Sequence, residues 1–183
     1  MKRLLYMLVL VWLFLQPGND VFAWHVKNTL KGLTESSPLI ITGKVTHIAA
    51  NIEIINNQKI VFTCVTLEPE LVLQGEKPGS ALTIKMVGGL SGERGTWHEL
   101  YQEFNPGEEV LVFLHPLDKR NNVWEMKSIS SKLSVANLDG KQKYDCSMLY
   151  ADEVSNYDNN VFFEKSVIID RINNYLQAKK GGK

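Results

Sequence analysis

The chain has 183 residues, with 20 basic and 20 acidic side chains, a formal net charge of zero and 44% hydrophobic residues. That is a one-domain length. The charge balance argues against a nucleic-acid partner, because neutralising phosphates takes clustered excess positive charge, and the chain carries no polybasic patch for a membrane surface.

Lys2-Arg3 precede an apolar run from Leu4 to Leu15, Gln16-Pro17-Gly18 breaks it, and Val21-Phe22-Ala23 suits a cut. This is the grammar of a cleavable secretory signal peptide, with cleavage expected after Ala23. The run is shorter than the roughly 20 apolar residues that span a bilayer. Residues 1–23 are therefore expected to be removed and 24–183 to form one exported domain, periplasmic or extracellular, with no membrane insertion after cleavage. In such a compartment the two cysteines, Cys64 and Cys146, permit one disulfide; the alternative is a buried free thiol at Cys64.

From Trp24 to Ser37 the spacing of Val26, Leu30 and Leu33 predicts a short helix, stopped at Ser36-Ser37 by Pro38. Leu39 to Ile48 reads as a strand, and Gly43 in mid-run marks a bulge or sharp bend. Asn51 to Lys59 reads as a polar connection with a hairpin signal at Asn56-Asn57. Ile60 to Leu67 is a second strand, its end demoted to an edge or bend by Pro69. Lys77-Pro78-Gly79 is a turn. Ala81 to Val87 alternates, placing Leu82, Ile84 and Met86 on one face.

A polar, glycine-rich excursion follows, from Gly88 to Phe104, and closes at Asn105-Pro106-Gly107 before the strongly apolar strand Val110–Leu114. Val123–Met126 and Leu133–Val135 are shorter strands, the latter ended by Asp139-Gly140. Gln142 to Asn160 reads as loop. From about 161 to 178 the period becomes helical, with Phe163, Val167, Ile168, Ile172, Tyr175 and Leu176 forming an apolar stripe. Short strands punctuated by turns, with helices only at the ends, predict an all-β-dominated small barrel capped by a C-terminal amphipathic helix.

The pieces Ser37-Pro-Leu-Ile-Ile-Thr-Gly-Lys-Val-Thr46, Leu73-Gln-Gly75, Leu82-Thr-Ile-Lys-Met-Val-Gly-Gly89 and Phe104-x-x-Gly107-Glu108-Glu109-Val-Leu-Val-Phe-Leu114 come in a telling order. Together they resemble a group of exported bacterial domains similar to the OB-like barrel of tissue inhibitors of metalloproteinases and netrin-like domains. The resemblance covers roughly Thr29 to Val135 and implies a barrel that binds other macromolecules. Those inhibitors begin with a Cys-x-Cys that chelates the target's zinc; the expected mature start here is Trp24-His25, so the inhibitory mechanism does not carry over.

Fragments of catalytic signatures each lack a residue. His98-Glu99-Leu100-Tyr101-Gln102 begins like a zinc-protease helix but has Gln102 where the second histidine belongs. Gly89-Leu90-Ser91-Gly92-Glu93 approaches a nucleophile elbow but ends in Glu93. His25, His47, His98 and His115 are too scattered for metal-ligand spacing, although a free Trp24 amine beside His25 would offer two nitrogens to copper or zinc. Glu108-Glu109 are expected on opposite strand faces, as a solvated turn rather than an acid–base pair. No catalytic residue, metal site or cofactor is expected. Trp97 and Tyr101, with His98 between them, are the candidate contact residues for a protein partner, together with Trp24 and His25, since large aromatics concentrate at recognition centres; Trp97 and Tyr101 could also fold back to cap the barrel. The reading is an exported, non-catalytic module that binds protein. Its alternatives are a hydrolase using the glycine-rich loop and an accessory subunit of an envelope assembly.

Overall fold

The computed structural model describes residues 28–149 and 161–182; the expected signal peptide, Trp24 and His25 lie outside them. Thr29 caps the first helix, α1 (Leu30–Ser36), by accepting from the Gly32 amide at 3.0 Å. Leu30, Leu33 and Thr34 are its buried residues, and the chain leaves the helix at Ser37, before Pro38.

Strands β1 (Leu39–Ile55) and β2 (Gln58–Gln74) form a long antiparallel hairpin, followed by β3 (Leu82–Val87), β4 (Gly89–Ser91), β5 (Arg94–Thr96), β6 (Glu109–Asp118) and β7 (Val123–Glu125). Five of these close on themselves in the order β1-β2-β3-β7-β6, with β6 returning to pair with β1. Only the β3–β7 contact in this ring is parallel. Strands β8 (Lys132–Leu138), β9 (Lys141–Asp145) and β10 (Phe162–Glu164) extend the sheet outward from β6, and helix α2 (Lys165–Gly181) follows. Among the described residues the fold is all-β dominated and barrel-like, with one short helix before the strands and one helix after them, as the sequence leads one to expect.

Side chains alternate across each strand, and in β1 and β6 both faces are apolar. Leu39, Ile41, Val45, Val110, Val112 and Leu114 point into the ring with Val65, Leu67, Leu82, Ile84 and Met86. Ile40, Leu111 and Phe113 point outward, into a second core with Leu30, Leu33, Leu133, Tyr144, Ile168 and Ile172. The continuous apolar runs of β1 and β6 are thus explained by burial on two sides rather than one.

Gly43 occupies the bend expected of it: the β1–β2 register shifts between Thr42 and Gly43, opposite Pro69. A side chain there would put Cβ 2.4 Å from the Glu68 carbonyl oxygen. A further shift between Val45 and His47 resets the alternation, so the inward row resumes at Ile48.

Several expectations need correction. Asn51 to Ile55 is strand, not connection, and β2 likewise runs from Gln58 through Pro69 to Gln74; only Asn56 and Asn57, at φ 50° and 62°, form the turn. Polar residues alternating with isoleucines on a two-stranded ribbon gave that stretch the look of a loop. The excursion contains the small hairpin β4–β5, and β9 runs from Lys141 into the start of the segment read as loop. The C-terminal helix begins at Lys165, because Phe162–Glu164 pair with Tyr144 and its neighbours on β9. No helix among the described residues is long and apolar enough to cross a membrane.

Candidate functional site

The excursion between β3 and β6 is built around a glycine pair. Gly88 and Gly89 both hold φ at 115°, a conformation side chains rarely adopt. A Cβ at Gly89 would lie 2.3 Å from Thr63 Oγ1, so the chain passes directly over β2 here. The Thr63 hydroxyl donates to the Gly88 carbonyl at 2.7 Å, and the Gly88 amide donates to the Val61 carbonyl at 2.9 Å. The β4–β5 hairpin is then held against the β1–β2 hairpin. The Val61 amide donates to Thr96 Oγ1 at 2.9 Å, and the Ser91 hydroxyl donates to the Ala50 carbonyl at 3.4 Å.

The two aromatics behave differently. Trp97 is 83% exposed, whereas Tyr101 is half-buried and packs on the inner core, its ring 3.1 Å from where a Gly88 Cβ would stand. Tyr101 therefore caps the mouth of the barrel while Trp97 stands out from it. Between them a tight turn closes through the Tyr101 amide donating to the His98 carbonyl at 2.9 Å, and His98 Nδ1 accepts from the Leu100 amide at 3.2 Å. His98 with Leu100 borders a separate cavity of ≈ 220 Å³ beside Lys85, Glu125 and Met126. The structure thus divides the excursion's three candidates between two sides of the loop.

Trp97 and Tyr101 line an open groove of ≈ 640 Å³ with Ile48, Ala50, Leu90 and Glu103. Beyond the groove the inward row of β1 continues on the same face as Ile52 and Ile54, which are 43% and 70% exposed. Leu90, on β4 and 76% exposed, belongs to the groove itself. Ile52, Ile54, Leu90 and Glu103 escaped the sequence reading. The alternation Ile48-x-Ala50-x-Ile52-x-Ile54 was the available signal for the first two; nothing local marks Glu103.

The supposed catalytic fragments find structural roles. Ser91 donates to a backbone oxygen, and His98 is tied to its own turn. His115 sits on β6, its pKa lowered by burial and then by the Lys127 charge, with Glu125 opposing. Among the described residues no group of three or more His, Cys, Asp or Glu side chains is placed to hold a metal.

Glu108 and Glu109 do diverge, but Glu108 is no solvated turn residue. Its side chain is 13% exposed and meets Lys132, 8% exposed, at 2.8 Å, while Glu109 reaches Lys165 at 3.0 Å. Both cysteines are free thiols. Cys64 is half-buried on β2; Cys146 lies in the outer core, where burial pushes its pKa up to about 12.

Compared with known proteins, the chain matches no family model and no curated sequence.

Proposed function

We propose that this chain is an exported, non-catalytic binding module that recognises another protein through the mouth of an OB-like barrel. The observation that carries the reading is exposed apolar surface at that mouth: Leu90 and Trp97, 76% and 83% exposed, line one groove, and the β1 row that enters it at Ile48 and Ala50 continues beyond it as the exposed Ile52 and Ile54. Large exposed apolar side chains gathered in one place mark interaction surfaces, and tryptophan is the residue most enriched at their energetic centres. The five-stranded ring with a single parallel contact supports the OB-like assignment, and with it the resemblance to the barrel of tissue inhibitors of metalloproteinases and netrin-like domains. The extended β1–β2 hairpin stands where OB barrels carry the loop between their first two strands, one of the loops such barrels use for ligands.

The test is capture from an envelope extract with the immobilised domain, run beside Trp97→Ala and a Leu90→Ser/Ile54→Ser variant. Because these side chains are exposed, all variants are expected to keep the wild-type circular dichroism spectrum. Proteins held by the wild type are expected to be lost from the variants. Equal retention by all three would remove the mouth as the recognition surface. A parallel screen with ester, peptide and glycoside substrates bears on the hydrolase alternative; turnover that disappears in a Ser91→Ala variant would replace the binding reading.

A further inference from the structure

The groove beside Trp97 has one charged lining residue, and its charge is unanswered. Glu103 lies at the groove with Trp97 and Tyr101. Its backbone carbonyl accepts from Lys132, whereas its carboxylate enters none of the ion pairs or side-chain hydrogen bonds of the described residues. The Lys132 ammonium that meets the Glu103 carbonyl is paired with the Glu108 carboxylate at 2.8 Å, on a side chain only 8% exposed. Glu103 is exposed, so its charge is available to whatever enters.

We infer that the groove formed by Trp97, Tyr101, Ile48, Leu90 and Glu103 receives a lysine or arginine side chain of a partner protein. Three properties of the groove converge on that occupant. The faces of tryptophan and tyrosine carry negative quadrupole density and attract an ammonium or guanidinium within about 6 Å. Ile48, Ala50 and Leu90 make an apolar lining that suits the methylene stem of such a side chain, which buries its carbons while keeping its charge near water. Glu103 supplies the counter-charge. An anionic ligand meets an unfavourable field at the same carboxylate, and a purely aliphatic one leaves it without a partner. The inference rests on the proposed recognition role of the barrel mouth, and adds the chemistry of what is recognised.

It is testable without the partner. The probes are capped tripeptides, Ala-Lys-Ala, Ala-Arg-Ala and the neutral isostere Ala-norleucine-Ala, titrated against the ¹⁵N-labelled protein with the Trp97 indole resonance as reporter. Ligands this small are expected to bind in the millimolar range. The lysine and arginine peptides are expected to shift the indole and groove amides with at least about threefold higher affinity than the norleucine peptide. Glu103→Gln is expected to weaken the two cationic peptides by about fivefold, more at low salt, and to leave the norleucine peptide unchanged. Trp97→Ala, with its side chain outside the core, is expected to weaken all three while retaining the dispersed spectrum of a folded domain.

Equal binding of all three peptides to the wild type overturns the inference and leaves an apolar groove without charge preference. So does a Glu103→Gln variant that binds as the wild type does. Selective cation binding combined with unchanged partner capture by Trp97→Ala would keep the groove's cation preference but defeat the recognition role proposed above, and with it the partner protein as occupant; loss of capture without cation selectivity would keep the recognition role and overturn this inference.

Discussion

At the scale of single residues, the most consequential side chain is one whose neighbour in sequence disguises it. Glu108 uses both carboxylate oxygens: Oε1 meets Lys132 at 2.8 Å and accepts from the Ser134 hydroxyl at 2.7 Å, while Oε2 accepts from the Asn105 amide at 2.9 Å. The Lys132 ammonium also stands 4.3 Å from the centre of the Phe104 ring. The cluster thus pins the end of the excursion to β8. Lys132→Met would leave a nearly buried carboxylate facing two neutral donors and no cation, so a loss of about 3–5 kcal/mol is expected in urea unfolding. The double variant Glu108→Gln/Lys132→Met removes the charge as well and is expected to cost less than Lys132→Met alone. A single-variant cost under about 1 kcal/mol would mean that the pair behaves as an ordinary surface bridge. Reading Glu108-Glu109 as a turn failed for a physical reason. Adjacency shows that the two carboxylates diverge, but the partner that buries one of them comes from a strand paired across β6.

At the scale of elements, backbone proximity decides what the pattern of side chains only suggests. Gly43 was legible: a glycine amid β-branched residues has few roles other than a bend or a close approach. Here it has both, at a register shift where Cβ would meet the Glu68 carbonyl oxygen at 2.4 Å and Leu67 Cγ at 3.1 Å. The backbone oxygen cannot rotate away, so Gly43→Ala is expected to lower stability by about 3 kcal/mol. Gly181→Ala, at the end of α2 with nothing within 4 Å, is the matched control and is expected to be neutral or slightly stabilising. Thermal unfolding of the two variants checks the contrast; if both are mild, β1 and β2 do not approach at this bulge as described. The elements that stayed illegible share a cause. The strands β4, β5 and β10 are three residues long and none has a buried residue; β7 is as short and no more buried, but lay within a run, Val123–Met126, that reads as a strand. Too little of them is buried to impose alternation, and they exist because a neighbouring strand offers hydrogen bonds. The same holds for the outer half of β1, where Asn51 and Glu53 between isoleucines hid a face that remains apolar without a core to cover it.

At the scale of the whole molecule, the two cores share β1 and β6, and this sharing predicts that they unfold as one cooperative structure. Leu39, Ile41, Val110 and Val112 face the ring interior, and Ile40, Leu111 and Phe113, their immediate neighbours in sequence, face helices α1 and α2. Shifting either strand to relieve one core would disturb the other, since alternate residues move together. This arrangement accounts for a chain whose barrel is small yet whose stability does not rest on the barrel alone. It also explains how the fold tolerates Ile54 on β1 and Trp97 at the groove in water: the ring is held from its outer face as well as from within. Ile84, on β3, belongs to the inner core, and Ile172, on α2, belongs to the outer one; both are fully buried. Each truncation to alanine is expected to cost about 2–5 kcal/mol, from lost transfer free energy and the cavity left behind. The sharper expectation concerns shape. Unfolding of Ile172→Ala followed by tryptophan fluorescence, which includes Trp124 on β7 in the ring, and by far-ultraviolet circular dichroism, which follows α2 and the sheet together, should give one coincident transition, as it should for Ile84→Ala. Two separated transitions in Ile172→Ala, with the helix lost first and the Trp124 signal unchanged, would mean that the outer core is an independently melting cap and that β1 and β6 do not couple the layers.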